Sequence, residues 1–166
     1  MSYKAAQLAI VLMISALVGE CVSAAPPCTR ASEQFDKRFA AAAGCFIKQA
    51  DRLLLVRNRF NGKLGFPAGF SNFGEDAQCT AHRETWEETG LRVEVGELVE
   101  QFGNGFLLYR CKLFLGQDLS EPIPLPKSAL AEVSEILWVD PHSISAHEWR
   151  FSWQVPNVLR IFDQSP

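Results

Sequence analysis

Short segments in which apolar and polar residues alternate predict most of the β-strands of this chain. Asp51 separates the first two segments, and Asn104-Gly105, a dipeptide typical of tight hairpins, separates the next two. Neighbouring segments are therefore expected to pair in a mixed or largely antiparallel sheet. The predicted strands are 42–49, 52–57, 92–102, 106–115 and 133–139.

Two other segments, 75–89 and 155–162, have the periodicity of helices. The first ends before Gly90, a residue suited to the left-handed conformation that closes many helices. The proline-rich segment 117–127 is expected to be a loop. Strands and helices in this order predict an α/β fold. The residues of the second helix expected to face the core are Val158, Leu159 and Phe162.

The N-terminal segment 1–24 has the pattern of an export signal. Lys4 and the amino terminus form a short positive region, residues 5–18 are apolar, and small residues up to Ala24 offer a cleavage site. The apolar run is short for a membrane span, and a buried core helix is the alternative interpretation. The protein is therefore predicted to be secreted or periplasmic, with no stable membrane anchor.

Composition favours a single globular domain after this signal. The 166 residues are 48% hydrophobic and 21% charged, which is enough for one sizeable core. We expect an N-terminal extension at 25–40 and one domain at 41–166. The formal net charge of −3 argues against broad attraction to nucleic acid, so no nucleic-acid partner is predicted.

Cleavage of the signal would leave four cysteines, an even number that suggests two disulfides in an oxidising compartment. Three pairings are open from sequence alone. Cys45 and Cys111 both fall on the apolar side of predicted strands, which favours their pairing and leaves Cys28 for Cys79. Four buried free thiols are the alternative.

The segment 69–91, which we call the acidic motif, carries the strongest indication of chemistry. Its pattern is G-x5-E-x7-R-E-x2-E-E-x-G-L. Within it, Glu84, Glu87 and Glu88 stand at positions i, i+3 and i+4 and project from one helical face. Crowded carboxylates repel each other, and a hard divalent cation with oxygen ligands removes that penalty. The pattern therefore indicates a site for Mg2+ or Mn2+.

A solvated acidic helix face is the alternative interpretation of three such carboxylates. Two glycines argue against it. Gly69 ends a Pro67-Ala68-Gly69 turn, where a backbone carbonyl could approach a metal ion, and Gly90 ends the helix. A helix face exposed only to solvent would need neither glycine.

The acidic motif resembles the signature of the Nudix hydrolases over 23 residues, with every fixed position of that signature filled. The segments 42–57 and 135–139 resemble the opening and closing strands of that family. Two positions depart from the usual pattern. Ala68 stands where a second glycine is common, and Thr85 stands where an aliphatic residue is common. Neither departure removes a candidate metal ligand.

The resemblance implies an α/β/α sandwich with a mixed sheet and a catalytic loop, helix and loop. It also implies metal-dependent hydrolysis of a diphosphate, in which water attacks phosphorus. Arg83 would orient neighbouring carboxylates, because its forked guanidinium suits that role better than proton transfer. Glu84 is the first candidate for the general base, and Glu132 and Glu135 are candidates from a later loop. The implied metal ligands are the Gly69 carbonyl, Glu75, Glu84, Glu87 and Glu88.

Three basic residues before the acidic motif, Arg57, Arg59 and Lys63, are candidates to bind the phosphates of a substrate. A solvated basic loop is the alternative. The favoured function is an exported pyrophosphohydrolase that cleaves the diphosphate linkage of nucleoside diphosphate derivatives. Hydrolysis of lipid-carrier or envelope-precursor diphosphates and a non-catalytic secreted nucleotide-binding module are the alternatives. A homodimer is compatible with the sequence, but nothing in the strand edges decides it.

Overall fold

The computed structural model describes residues 25–31 and 36–165. The predicted export signal at 1–24 lies outside these ranges, as do residues 32–35 of the predicted extension. Within the described ranges, no helix has both the length and the hydropathy needed to cross a membrane. The fold is therefore built from residues 36–165, with a short N-terminal segment at 25–31 packed against it.

Eight strands and two α-helices form within the described residues. Helix α1 occupies Ala77–Thr89, so it begins two residues after the predicted start. Asp76 caps it, because its side chain accepts a hydrogen bond from the Cys79 backbone N–H at 3.0 Å. Helix α2 occupies Val155–Gln164. The strands are β1 (Ala42–Phe46), β2 (Lys48–Gln49), β3 (Arg52–Asn58), β4 (Leu64–Gly65), β5 (Ala68–Phe70), β6 (Val93–Gln101), β7 (Leu107–Leu113) and β8 (Val133–Val139).

Two four-stranded sheets make up the framework. In the first, the order is β5-β1-β7-β6, and β1 runs parallel to β7 while the other pairs are antiparallel. In the second, β3 pairs with β2, β4 and β8, and all three pairs are antiparallel. The predicted mixed sheet is therefore confirmed. The segment predicted as one strand at 42–49 divides into β1 and β2, one in each sheet.

Helices cover both faces of this framework. Successive side chains of a strand point to opposite faces, so the core divides into two clusters. On one face, Ala43 and Cys45 of β1 pack with Ala77 and Ala81 of α1. On the other face, Phe46 of β1 packs with α2. The α2 residues of that second cluster are Val158, Ile161 and Phe162. The predicted α/β/α sandwich is confirmed.

The predicted inward face of α2 is wrong at one position. Leu159 is only partly buried, whereas Ile161 is buried in the second cluster. Val158, Ile161 and Phe162 stand at i, i+3 and i+4 and share one helical face. Leu159 is turned about 100° from Val158 around the helix axis, so it meets the edge of the core instead.

The described cysteines form two disulfides, in the pairing that the sequence favours. Cys45 of β1 bonds to Cys111 of β7, with Cα atoms 5.5 Å apart. Cys28 bonds to Cys79 in the first turn of α1, with Cα atoms 5.3 Å apart. The second bond fastens the N-terminal segment to the helix that carries the acidic motif.

Further contacts hold the same N-terminal segment in place. Arg30 forms an ion pair with Asp76, the residue that caps α1. The Ala31 N–H donates to the Val95 carbonyl at 3.0 Å, and the Val95 N–H donates to the Thr29 carbonyl at the same distance. The segment therefore extends the edge of the first sheet and closes over the start of α1.

Replacement of Cys45 and Cys111 by alanine is expected to lower the free energy of unfolding by about 2–5 kcal/mol, because their disulfide closes a long loop between two core strands. Urea denaturation without reductant, followed by tryptophan fluorescence, measures the change. Peptide mapping under non-reducing conditions checks the pairing in the wild-type protein. Free thiols at both positions would contradict the expectation.

Candidate active site

The acidic motif folds into β5, a connecting loop and helix α1. Gly90 closes the helix in the left-handed conformation, with φ of 70°, and its N–H donates to the Trp86 carbonyl at 2.8 Å. The predicted left-handed cap is therefore confirmed. Glu84, Glu87 and Glu88 occupy the last two turns of the helix, where side chains of the motif meet the backbone of β5.

The Arg83 guanidinium is the centre of the hydrogen-bond network in the motif. Its Nε and Nη2 donate to the two carboxylate oxygens of Glu75 at 3.0 and 2.9 Å. Its Nη1 donates to Glu84 at 2.6 Å and to Glu87 at 2.9 Å. Nη2 also donates to the Phe70 carbonyl at 2.7 Å. One side chain therefore joins β5, the loop and the helix.

Gly69 is required by the close approach of the Glu84 carboxylate to the β5 backbone. A Cβ atom at Gly69 would overlap that carboxylate, so any other residue would displace it. The Glu84 side chain is only 13% exposed. The packing thus explains the glycine that the sequence pattern places at this position. Ala68 and Gly69 belong to strand β5, so the predicted turn is wrong here, and the Glu84 carboxylate lies against a strand backbone instead.

Glu88 is the most deeply buried carboxylate of the motif, with 7% of its surface exposed. Its Oε2 accepts a hydrogen bond from the Ala68 N–H at 2.8 Å. Burial raises the pKa of Glu88 to about 8, and the nearby charges of Glu84 and Glu132 act in the same direction. The Ala68 N–H and the positive charge of Arg150 oppose that rise without cancelling it.

The pKa values of Glu84 and Glu75 are shifted in opposite directions. Burial raises the pKa of Glu84 above its usual value, although Arg83 opposes the rise. Burial would also raise the pKa of Glu75, but hydrogen bonds from Arg83 and the Asn72 N–H outweigh it, and this pKa lies below its usual value. Glu75 is therefore held as a carboxylate, whereas ionisation of both Glu84 and Glu88 costs free energy.

The donor set of this cluster fits a hard divalent cation. Such ions prefer carboxylate and carbonyl oxygens, and a positive charge would offset the cost of ionising two buried neighbours. Among the described residues, no three acidic, histidine or cysteine side chains already converge on one point. In the present arrangement Arg83 donates to Glu84 and Glu87, and the Ala68 N–H donates to Glu88.

The predicted phosphate-binding residues lie in different surroundings. The Arg57 Nε pairs with Glu135 at 2.8 Å, and the Arg59 Nη2 donates to the Val133 carbonyl at 2.8 Å. Lys63 donates to the His147 carbonyl and also lines a small cleft beside Glu88. Of the three predicted residues, only Lys63 lines that cleft.

Two further charged residues line the cleft beside Glu88. Glu132, one of the two later candidates for the general base, lies there, whereas Glu135 pairs with Arg57 instead. Arg150 lies there as well, and the sequence pattern did not indicate it. The backbone explains its position, since the Arg150 N–H donates to the carbonyl of Leu64 in β4 at 2.7 Å.

A second, larger cavity adjoins the carboxylates, and we call it the aromatic cleft. Gly69 forms part of its lining, as does Arg150, so it meets the carboxylate cluster along β5. Its remaining walls are mainly apolar and come from the strands, the β6–β7 hairpin and the segment before α2. Its aromatic residues are Phe66, Phe70, Phe106, Trp149 and Phe151.

Comparison with known proteins identifies the family. Residues 38–160, most of the chain, match the NUDIX domain. The chain belongs to the NUDIX family. This match includes the whole acidic motif, both sheets and the segment that forms the aromatic cleft, and it confirms the family that the motif indicated.

Curated relatives and a solved structure agree with this assignment. A MutT-like protein of Streptomyces ambofaciens is 31% identical over 110 residues, which cover 63% of this chain and 66% of that protein. The isopentenyl-diphosphate Delta-isomerase of Clavibacter michiganensis is 30% identical over 153 residues, covering 81% and 76%. The crystal structure of a NUDIX hydrolase from Nitrosomonas europaea superposes with a TM-score of 0.59 at 24% identity, covering 78% and 73%.

Family membership supports pyrophosphohydrolase activity for this Nudix protein. Nudix hydrolases bind small-molecule diphosphates and generally use divalent metals. The structure places the acidic motif beside a cleft large enough to receive part of such a molecule. The fold, the motif and the adjoining cleft are therefore consistent with one another.

Substitution of Arg83 by lysine is expected to lower the free energy of unfolding by about 1–3 kcal/mol, because a lysine ammonium cannot replace five hydrogen bonds to four residues. Urea denaturation without added metal measures the change. Arg160→Lys is the matched control, since Arg160 is 51% exposed and donates hydrogen bonds to Glu100 and Gln164. Equal effects at the two positions would contradict the expectation.

Proposed function

We propose that this Nudix protein is a divalent-metal-dependent hydrolase that cleaves the diphosphate linkage of nucleoside diphosphate derivatives outside the cytoplasm. One observation supports the proposal most directly: Gly69 contacts the Glu84 carboxylate and also lines the aromatic cleft. A molecule bound in the cleft would therefore present an attached diphosphate to the carboxylate cluster. The carboxylate cluster and the aromatic cleft are therefore adjacent at Gly69.

The side chains of the acidic motif divide into two groups by role. Glu84, Glu87 and Glu88, with the Gly69 carbonyl, would hold the metal, for which Mg2+ and Mn2+ are the candidates. Arg83 donates hydrogen bonds to Glu84 and Glu87, and it holds Glu75 as a carboxylate that can support the same site. When bound, the divalent ion would neutralise charge on the diphosphate and lower the pKa of bound water.

Other residues of the chain would bind the substrate and accept a proton. Arg150 lines both the aromatic cleft and the cleft beside Glu88, so its guanidinium can contact a phosphate between them. Lys63 lines the second cleft and adds a positive charge. Glu84 remains the first candidate for the general base, and Glu132 is the second because it also faces Glu88.

The location outside the cytoplasm has its own support. Two disulfides link the described cysteines, and such bonds are uncommon in proteins that function in a reducing cytosol. They agree with the export signal predicted from the sequence at 1–24. Comparison of the mature N-terminus in secreted and cell-associated material tests the location. A mature protein that begins at Met1 would contradict it.

A second candidate function is hydrolysis of isoprenoid or lipid-carrier diphosphates. The mainly apolar lining of the aromatic cleft favours it, because a prenyl chain could fill the same space. The related isopentenyl-diphosphate Delta-isomerase also supports testing an isoprenoid diphosphate. In this case the diphosphate would meet the same carboxylates, and only the moiety in the cleft would differ.

Substitution of Glu88 by glutamine is expected to reduce turnover about 100-fold or more in saturating Mg2+, because it removes one charge from the proposed ligand set. The same substitution should abolish most of the rise in melting temperature that Mg2+ produces in the wild-type protein. Initial rates and thermal melts with and without Mg2+ measure both effects.

The matched control for this prediction is Glu94→Gln, which makes the same change on β6, outside the acidic motif. That variant should keep wild-type turnover and the wild-type response to Mg2+. Wild-type turnover by Glu88→Gln in saturating Mg2+ would contradict the proposed ligand set. A loss of Mg2+ stabilisation in both variants would point to a general effect on folding and would also contradict it.

A substrate panel tests the proposed function itself. ADP-ribose, a UDP-sugar, dinucleoside polyphosphates, nucleoside triphosphates and two isoprenoid diphosphates would be compared with Mg2+ and with Mn2+. A nucleoside diphosphate derivative is expected to have the highest kcat/KM, by about tenfold or more over the isoprenoid compounds. Release of phosphate and formation of nucleoside monophosphate are measured. Preference for an isoprenoid diphosphate would establish the second candidate instead.

A further inference from the structure

The pairing of β3 with β8 becomes irregular beside the cleft that contains Glu88. The two strands keep one register as far as Arg57, which lies opposite Glu135, but Asn58 then pairs with Val133. This shift leaves one extra residue on β8, which is the arrangement of a β-bulge. Such bulges often occur next to active sites, where they change the direction of a side chain. Here the bulge lets Val133, which is 1% exposed, remain in the core.

Glu132 comes directly before this bulge and lines the cleft beside Glu88. Burial is the main cause of the raised pKa values of Glu84 and Glu88, and the charge of Glu132 contributes to both. Its N–H donates to the carbonyl of the buried residue Ala129 at 2.9 Å. The core therefore fixes the backbone of Glu132 on its amino side.

Arg59 fixes the backbone of Glu132 on its carbonyl side. The Arg59 N–H donates to the Glu132 carbonyl at 2.7 Å, and the Arg59 Nη2 donates to the Val133 carbonyl at 2.8 Å. The second bond comes from a charged donor, and such bonds are stronger than those between neutral groups. One residue thus holds the two consecutive carbonyls that follow the Glu132 side chain.

The turn that carries Arg59 is itself held by hydrogen bonds. The Asn58 Oδ1 accepts from the N–H groups of Phe60 and Asn61 at 3.1 and 3.2 Å. The Gly62 N–H donates to the Asn58 carbonyl at 2.9 Å, and Gly62 has the positive φ of 68° that suits a glycine. Arg59 therefore projects from a firm support.

We infer that Arg59 is a positioning residue for hydrolysis, which fixes the backbone on the carbonyl side of Glu132 and so holds that carboxylate in the cleft beside Glu88. The inference rests on the proposed function and deepens it, since it assigns a role to a basic residue outside the acidic motif. Arg59 would act on turnover only through Glu132.

The contacts of Arg59 favour this role over phosphate binding. Arg59 lines neither the aromatic cleft nor the cleft beside Glu88, and its side chain donates to the backbone of β8. Lys63 and Arg150 line the cleft beside Glu88 and supply positive charge there. A substitution at Arg59 is therefore expected to affect kcat more than KM.

Kinetics with the best substrate of the panel in saturating Mg2+ provide the first test. Arg59→Met removes the side-chain donor and is expected to lower kcat about 3- to 10-fold, while KM changes less than about twofold. Arg59→Lys should keep kcat within about twofold of wild type, because its ammonium can donate to the same carbonyl. Arg52→Met is the matched control and should leave kcat unchanged, since Arg52 lies at the other end of β3, is 57% exposed and pairs with Glu121.

A double-mutant cycle tests whether Arg59 acts through Glu132. Glu132→Gln alone is expected to lower kcat about 10-fold or more, because an amide cannot accept the proton. Arg59→Met should then lower kcat by less than about a further twofold, because the carboxylate that Arg59 holds is already lost. An equal fall in kcat in both backgrounds would overturn the inference. Wild-type kcat for Glu132→Gln would overturn it as well.

Hydrogen–deuterium exchange gives a measurement that does not depend on turnover. Loss of the side-chain bond to Val133 should speed exchange of the backbone amides at 128–136 about threefold or more in Arg59→Met. Arg59→Lys and Arg52→Met should exchange like the wild-type protein over this segment. Melting curves check that each variant folds, and Arg59→Ala replaces Arg59→Met if that variant does not.

The outcomes separate this inference from the proposed function. A rise in KM with unchanged kcat in Arg59→Met would indicate a phosphate contact and overturn the positioning role, even if the enzyme hydrolyses nucleotides. Unchanged exchange at 128–136 would also overturn it. If the wild-type protein hydrolyses no compound of the panel, the proposed function is refuted, and the exchange result alone decides whether Arg59 anchors Glu132.

Discussion

The Arg83 guanidinium is the interaction on which the rest of the site depends. It bonds to Glu75 before the helix, to Glu84 and Glu87 on the helix, and to the Phe70 carbonyl at the end of β5. Its positive charge lies among three carboxylates that would otherwise repel one another. Hydrogen bonding to Glu75 in turn raises the pKa of Arg83 above its usual value, so this charge is permanent.

The carboxylates are held from two sides. From within the fold, Arg83 and the Ala68 N–H fix the motif against β5. From the outside, the N-terminal segment fixes the first turn of α1 through the Cys28–Cys79 disulfide and an ion pair at Asp76. The beginning of the helix is therefore covalently attached to a segment that also bonds to β6. Carboxylates that repel one another tend to move apart. The contacts to β5 and to the N-terminal segment limit that movement.

Chemistry and recognition have separate origins in this fold. The acidic motif is one continuous segment, and its carboxylates come from one loop and helix α1. The aromatic cleft combines β4, β5, the β6–β7 hairpin and the segment before α2. Gly69 and Arg150 are where the two regions meet. A change in the later segment could therefore alter the molecule that is bound while the carboxylates remain in place.

The features that the sequence by itself determined depend on residues that are close together in the chain. Spacing along one helix places Glu84, Glu87 and Glu88 on a single face, and Gly90 closes that helix, because both features depend only on residues a few positions apart. Alternation along the strands likewise favoured the Cys45–Cys111 disulfide, since period-two patterns specify which side chains face the core, and it left Cys28 for Cys79.

What only the tertiary structure decided depends on contacts between distant segments. The sequence makes Arg57 a candidate to bind the phosphates of a substrate. In the fold, however, it pairs with Glu135 on the neighbouring strand. Arg150 and Gln154 carry no pattern that marks them, and they reach the cleft because the backbone of Trp149 pairs with Leu64 of β4. Such pairings join residues far apart in the chain, so no local spacing encodes them, and only the folded backbone brings them together.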